Sequence, residues 1–327
     1  MNYKELSYGF KKIMAWYKKK TKVLNIKSRP CNTGFIFFDI ISRIINDNKK
    51  VLYIFCTGKR ELAGKTHRDL YDKTIQKIMP GDIENNIKFI SIDEINDVED
   101  GYELVIFDDI TVFSSVSMEN LRDSIEKLYW KSGKIIVYSC ERVFPIGEKM
   151  DLVYLLNPTP MIEPRFLSTR IKLEEDIPLA LYEYLRWFKD NEKNVIIIVP
   201  TEEKLDKVYY TYKHSISLAD VRVVKYEKSE DFSYIEDILK EEKIFLITNC
   251  IGEYINSIKD VNIVVLFGDN INYSYKKIVY LCGNITTDNG GLSEVVLVSR
   301  EISEEMDKSR DMIRGFNKIL WEKKLLK

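Results

Sequence analysis

The sequence predicts an α/β protein built from two successive parallel-sheet domains. Three observations point there. Short apolar runs alternate with longer helical patterns along most of the chain. The apolar runs are continuous in Val, Ile, Leu, Phe and Tyr, as expected for parallel strands covered on both faces. The alternation breaks once, near the middle, and then restarts.

In the first half the strand candidates are "KVLNIKS", "KVLYIF", "IKFISI", "ELVIFDD" and "GKIIVYS". Between the first two lies "FIFFDIISRIINDN", with apolar residues at 37, 40, 41, 44 and 45, the spacing of a buried helix. Strand, helix and strand in that order make a βαβ unit. The break is "LLNPTPMIEPRFLSTRIKLEEDIP", with prolines at 158, 160, 164 and 178 and no sustained helical period. It reads as a connection, and the expected domains are 1–165 and 166–327. Beyond it come strand "NVIIIVP", helix "EEKLDKVYYTYKH", strand "VRVVKY", helix "SYIEDILKEE", and strands "KIFLITN" and "NIVVLFGD". Helix "SYKKIVYLC", strand "SEVVLVS" and a helix from about Ser303 follow. No short repeat accompanies this duplicated make-up.

Composition removes several function classes. The 327 residues are 45% hydrophobic and 31% charged, which is globular. A formal net charge of -1 gives no global attraction to polyanions, although "KKIMAWYKKKTKVLNIKSR" is a local basic run. Such a run is most simply a solvated helix face. No apolar run approaches the roughly 20 residues that span a bilayer, and no signal-peptide pattern is seen, so a cytoplasmic location is expected. Five scattered cysteines contain no C-x-x-C pair, which argues against a zinc site or a disulfide framework. Two histidines leave little scope for histidine metal sites or a Ser-His-Asp hydrolase.

The stretch "VLYIFCTGKRELAGKTHRDLYDKTI" contains Gly64-Lys65-Thr66 after an apolar strand. A phosphate-binding loop has the form G-x-x-x-x-G-K-[ST], but five residues, not four, separate Gly58 from Gly64. The amide wrap around phosphate does not survive that insertion. Leu62, Ala63, Thr66, Leu70 and Ile78 also fall close to one helical face, with Gly58 as an N-cap and Glu61 three residues on. Lys65 and Thr66 would then lie inside a helix.

"TGKRELAGK" instead resembles the "PTRELA" segment of superfamily 2 helicases, which follows the second strand and touches the nucleic-acid backbone. The phosphate loop then belongs one βα unit earlier, at "RPCNTGFIFF". From about Lys22 onward the chain resembles the late-competence DNA-uptake ATPase family (ComF operon protein A), a superfamily 2 motor. The resemblance implies two tandem RecA-like domains, ATP and Mg²⁺ as cofactors, single-stranded DNA as ligand and partners in a DNA-uptake or DNA-processing machine. Where the family loop reads roughly G-A-G-K-T-E, Thr33 replaces the Lys and Gly34 the Mg²⁺-binding Thr. Asn32, Thr33 and Gly34 are therefore the nucleotide-binding candidates of this loop.

"ELVIFDD" ends in Asp108 and Asp109, at the strand edge where α/β sheets place ligands. By resemblance Asp108 holds Mg²⁺ and Asp109, one methylene shorter than the family's Glu, positions water. A strand-end aspartate also caps the turn that follows, and that reading stays open. "VYSCE" keeps Ser139 of a Ser/Thr-Ala-Thr motif, and "EPRF" resembles the family's interdomain Pro-Arg-Phe/Tyr. "KIFLITNCIGEYINSIKDVNIVVLFGD" resembles "FLVTTTILERGVTIPNVDVVVLGAD", with Glu253-Tyr254-Ile255 in place of Glu-Arg-Gly. In "YLCGNITT", Gly283 remains, but Asn284 and Thr287 stand where two arginines are expected. Gly283 and Asn284 complete the nucleotide candidates. The resemblance puts DNA contacts at Thr57, Gly58 and Arg60, and at Thr201, Thr248 and Asn249.

The phosphate Lys, the Mg²⁺ Thr and both arginines are missing together, while the framework strands remain. Arginines of that kind stabilise charge on a transferred phosphoryl group. The expected function is a helicase-like pseudoenzyme, weak or inactive as an ATPase, that binds DNA or a partner. The alternatives are a pseudo-ATPase interaction subunit without nucleic-acid binding, and an active ATPase with atypical loops.

Overall fold

A computed structural model describes residues 2–57, 86–111, 113–114, 116–153, 155, 159–215, 221–227, 244–251, 261–285 and 293–324. The chain divides into two compact units. One comprises Met1–Pro160 with Phe316–Lys327, the other Met161–Gly315.

The first unit contains α1 (Tyr3–Tyr17), β1 (Val23–Lys27), α2 (Phe38–Asn46), β2 (Lys50–Phe55), β3 (Ile87–Ser91), β4 (Tyr102–Asp108), α3 (Met118–Tyr129), β5 (Ser132–Ser139) and β6 (Glu148–Asp151). Its sheet runs β3-β2-β4-β5-β1-β6, with every neighbouring pair parallel. The central strands are buried almost throughout, so β2, β4 and β5 are mostly apolar, while β1 carries a buried Asn25 whose Nδ2 donates to the Ile146 carbonyl at 3.0 Å. Leu52, Ile54, Val105, Phe107, Ile135 and Val137 form the middle of one face of the core.

The second unit contains β7 (Arg165–Ser168), α4 (Leu179–Asp190), β8 (Asn194–Ile198), α5 (Glu202–Ser215), β9 (Arg222–Tyr226), β10 (Ile244–Thr248), β11 (Val261–Leu266), α6 (Tyr275–Asn284), β12 (Val295–Ser299) and α7 (Glu304–Glu322), whose last residues belong to the first unit. Its order is β7-β12-β11-β8-β10-β9, again parallel throughout. Val195, Ile197, Phe245, Val264 and Val296 pack with Leu181, Leu185 and Phe188 of α4.

The expected strands of both halves are present. The elements beyond the pattern read from the sequence are α1, α3, α4, β6 and β7. β6 and β7 are four-residue edge strands, and β7 lies inside the proline-rich stretch read as a connection. An edge strand has a single neighbour, so it needs no continuous apolar run. α4 begins immediately after Pro178 and runs for 12 residues, and its buried stripe is Leu181, Leu185 and Phe188. α1 places Leu6, Gly9, Ile13 and Trp16 on its buried side, so only one face of the basic run is solvated. Gly9 lets α1 pack closely there, because a Cβ at that position would meet the Ile36 side chain. The helices expected over 60–78 and 233–242 lie outside the described residues.

Candidate active site at the carboxyl edge of the first sheet

The loop after β1 comes first. Lys27 pairs with Ser139 in register, and the Ser28 amide continues the ladder to the Ser139 carbonyl at 3.0 Å. The chain then turns through Cys31, which has φ 58°. Its amide donates to the Ile110 carbonyl at 2.9 Å. Asn32 is buried, and its Nδ2 donates to Ser28 Oγ at 2.8 Å and to the Val153 carbonyl at 3.2 Å. Asn32 Oδ1 accepts from the Thr33 amide at 3.1 Å, and Thr33 Oγ1 accepts from the Phe35 amide at 3.1 Å. Thr33 thus caps a 3₁₀ turn over Gly34–Phe37 that leads into α2. The amides of Ser28, Cys31, Thr33 and Phe35 all bind oxygen atoms of the protein itself. A loop that cradles phosphate must keep such amides turned outward.

β4 brings the acids to the same edge. Asp108 is fully buried. Its Oδ1 accepts from the Ile110 amide at 3.0 Å and the Thr111 amide at 2.9 Å. Its Oδ2 accepts short hydrogen bonds from the hydroxyls of Tyr53 and Thr111. A carboxylate offers about four lone-pair sites, and all four are taken. Burial lifts the Asp108 carboxyl above its ordinary value, opposed by the hydrogen bonds from Thr111, Tyr53 and Ile110. Tyr53 is held protonated, first by burial and then by the neighbouring Asp108. Asp109 turns to β5, where Ser139 Oγ donates to its Oδ2 at 2.6 Å.

The two strands meet through a hydroxyl. Tyr53 stands opposite Ile106 in register, so it shares a face with Asp108 two residues on. A Cβ on Gly34 would lie 2.8 Å from Tyr53 Oη, 3.3 Å from Thr111 Cγ2 and 3.8 Å from Asp108 Oδ2. The loop therefore packs directly onto the tyrosine and the acid. Tyr138, also buried, donates to the Thr33 carbonyl at 3.4 Å. Among the described residues no group of three or more His, Cys, Asp or Glu could hold a metal ion. The residues at this edge do not fit a Mg²⁺-bound phosphate. The expected ligand atom of Asp108 is saturated, and the space beside Gly34 belongs to Tyr53.

The expected site residues are thus sorted by place. Asn32, Thr33, Gly34, Asp108 and Asp109 converge on one edge. Gly283 is buried within α6 and Asn284 is that helix's last residue, at the end whose dipole disfavours an anion. Thr57 and Thr248 are buried, and Thr248 Oγ1 accepts from the Cys250 amide at 3.0 Å. Thr201 Oγ1 caps α5 by accepting from the Lys204 amide at 3.3 Å. Asn249 is half-buried, and its Oδ1 has no hydrogen-bond partner among the described residues. Gly58, Arg60, Glu253, Tyr254, Ile255 and Thr287 lie outside the described residues. Tyr53, Thr111 and Tyr138 were not among the expected residues. The signal in the sequence is a tyrosine hydroxyl inside each of the apolar runs "KVLYIF" and "GKIIVYS".

No protein-family model and no curated protein matches the chain. Solved structures do. The Escherichia coli DEAH/RHA helicase HrpB aligns with a TM-score of 0.55 at 11% identity, over 93% of this chain and 43% of that one. The DEAD-box helicase Mss116, bound to ssRNA and UDP-BeF, aligns with a TM-score of 0.55 at 13% identity, over 96% of this chain and 72% of that one. The fold is like that of a helicase core. Its two parallel-sheet α/β units with flanking helices match the RecA-like fold of these two helicases' cores. The chain spans less than half the length of HrpB. No described helix is long and apolar enough to cross a membrane.

Proposed function

We propose that this chain is a helicase-fold protein that binds single-stranded DNA or a protein partner without turning over ATP. In this reading 1–165 is a degenerate nucleotide-binding domain and 166–327 its helicase C-terminal-like companion. The observation that carries it is the saturation of Asp108 by two backbone amides and two hydroxyls. Mg²⁺ would have to displace at least one of these donors in a fully buried place, leaving a desolvated group unmatched. The self-bonded loop amides and the absence of lysine from "RPCNTGF" support the same reading. Without a charge on the transferred phosphoryl group being balanced, fast hydrolysis has no physical basis.

The resemblance to the DNA-uptake ATPases suggests where such a protein acts, as a cytoplasmic component of a DNA-uptake or DNA-processing machine. Thr201 and Asn249, with Gly58 and Arg60, are the proposed backbone contacts, suited to positioning a strand without reading its sequence. The test is calorimetry with ATP and Mg²⁺, with and without single-stranded DNA, followed by a hydrolysis assay on the same sample. No heat of nucleotide binding and no turnover is expected. DNA-stimulated turnover would defeat the reading and revive an active ATPase with an atypical loop.

A further inference from the structure

The basic run at the start of the chain becomes specific once it is folded. Residues 1–22 hold seven lysines and one acid, Glu5, in a protein whose net charge is -1. At 3.6 residues per turn, Lys4, Tyr8, Lys11, Lys12 and Lys18 fall within an arc of about 120°. All five are exposed, and Tyr8 and Tyr3 keep 46% and 75% of their surface. Lys12 Nζ lies 5.6 Å from the Tyr8 ring centre, which sets cation and aromatic side by side. Lys4, Lys11 and Lys18 have no ion-pair partner among the described residues.

The neighbouring acids are already engaged. Glu5 accepts from Lys323 at 2.9 Å. Glu148 holds Lys19 at 2.7 Å, and Glu103 accepts from both Tyr17 and Lys49. What remains on the outer face of α1 is a row of uncompensated positive charge interleaved with tyrosine. The other face, through Leu6, Ile13 and Trp16, is committed to the core. A membrane-surface helix needs its apolar face free to enter the lipid, and this helix has none to offer.

We infer that the outer face of α1 is a binding site for single-stranded nucleic acid, with Lys4, Lys11, Lys12 and Lys18 on phosphates and Tyr8 stacked against a base. Charge complementarity identifies a polyanion, and the interleaved tyrosine selects one with open base faces. Phosphates and base faces are common to DNA and RNA. The site uses none of the residues proposed above and does not depend on whether ATP is hydrolysed.

The test is fluorescence anisotropy of the full chain with labelled oligothymidylate and oligouridylate of about 20 nucleotides, and with a duplex, across a salt series. Four phosphate contacts give a log–log salt slope near -3, or about a 50-fold loss of affinity from about 50 to 200 mM salt. The variant with Lys4, Lys11, Lys12 and Lys18 all changed to Gln is expected to bring that slope close to zero. Tyr8→Leu should weaken single-strand binding about tenfold, leave the slope intact and spare duplex binding. All these side chains are exposed, and unchanged thermal melts verify the fold.

Three results would overturn the inference: full affinity in the quadruple variant, equal loss of duplex and single-strand binding in Tyr8→Leu, or preference for phosphatidylserine vesicles over both oligonucleotides. A quadruple variant that binds normally while the wild type fails to hydrolyse ATP would remove this site and leave the proposed function standing. DNA-stimulated hydrolysis with binding lost in the quadruple variant would do the opposite.

Discussion

The carboxyl edge of the first sheet and the outer face of α1 lie in the same unit and treat their polar groups in opposite ways. At the sheet edge every described acceptor oxygen of Asp108 meets a donor of the protein. On α1, lysines project into solvent with their nearest acids already paired elsewhere. A buried polar group must be satisfied internally, because nothing else will satisfy it. An exposed charge is solvated whether or not a ligand comes. Sequence position in a ligand-binding fold therefore says less about binding than the remaining hydrogen-bond capacity of the groups there.

That comparison can be broken most directly at Asp108. Asp108→Ala would leave two hydroxyls and two amides without their acceptor in the core. A loss of at least about 3 kcal/mol is expected by urea unfolding. A variant as stable as wild type would show that the network adds little. Next is Gly34→Ala, which forces a methyl to 2.8 Å from Tyr53 Oη and should lose about 1–3 kcal/mol. Tyr53→Phe removes a charge-assisted donor and should lose about 1.5–3 kcal/mol. Combining the two should be less damaging than their sum, since the phenyl ring lacks the atom that the methyl strikes. Strict additivity would mean the loop does not rest on that hydroxyl.

A pH series sharpens the same point. Burial raises the Asp108 carboxyl above 3.8, so the folded chain retains a proton that the unfolded chain has lost. Its contribution is full below 3.8 and is lost as pH rises through the folded value. The stability of wild type relative to Asp108→Asn should therefore fall from about pH 3.5 toward neutrality, followed by urea melts at each pH. A difference that grows with pH would reverse the sign and place hydrogen bonding above burial. The smallest effect belongs to α1. Changing Lys4, Lys11, Lys12 and Lys18 to Gln should alter stability by about 0.5 kcal/mol or less in the same melts. A larger loss would mean that these lysines have structural partners.

Much of the architecture is legible in the sequence because it follows from periodicity. A strand covered on both faces must be apolar at every position, and "ELVIFD", "GKIIVYS" and "NVIIIV" declare themselves on that ground. β6 and β7 escape because an edge strand carries polar residues on a partly solvated side, as in "EKMD" and "RFLS". The buried stripe of α1 is obscured by the lysines between its members. For the candidate site, the residue pattern alone places Asp108 at the end of a buried strand and shows a loop after β1 without lysine. The partners of Asp108 come from the folded chain. Tyr53 is 55 positions away, and it reaches the carboxyl because β2 and β4 pair in one register. Strand pairing across such a separation is fixed by the packing of whole elements, so no local pattern records it.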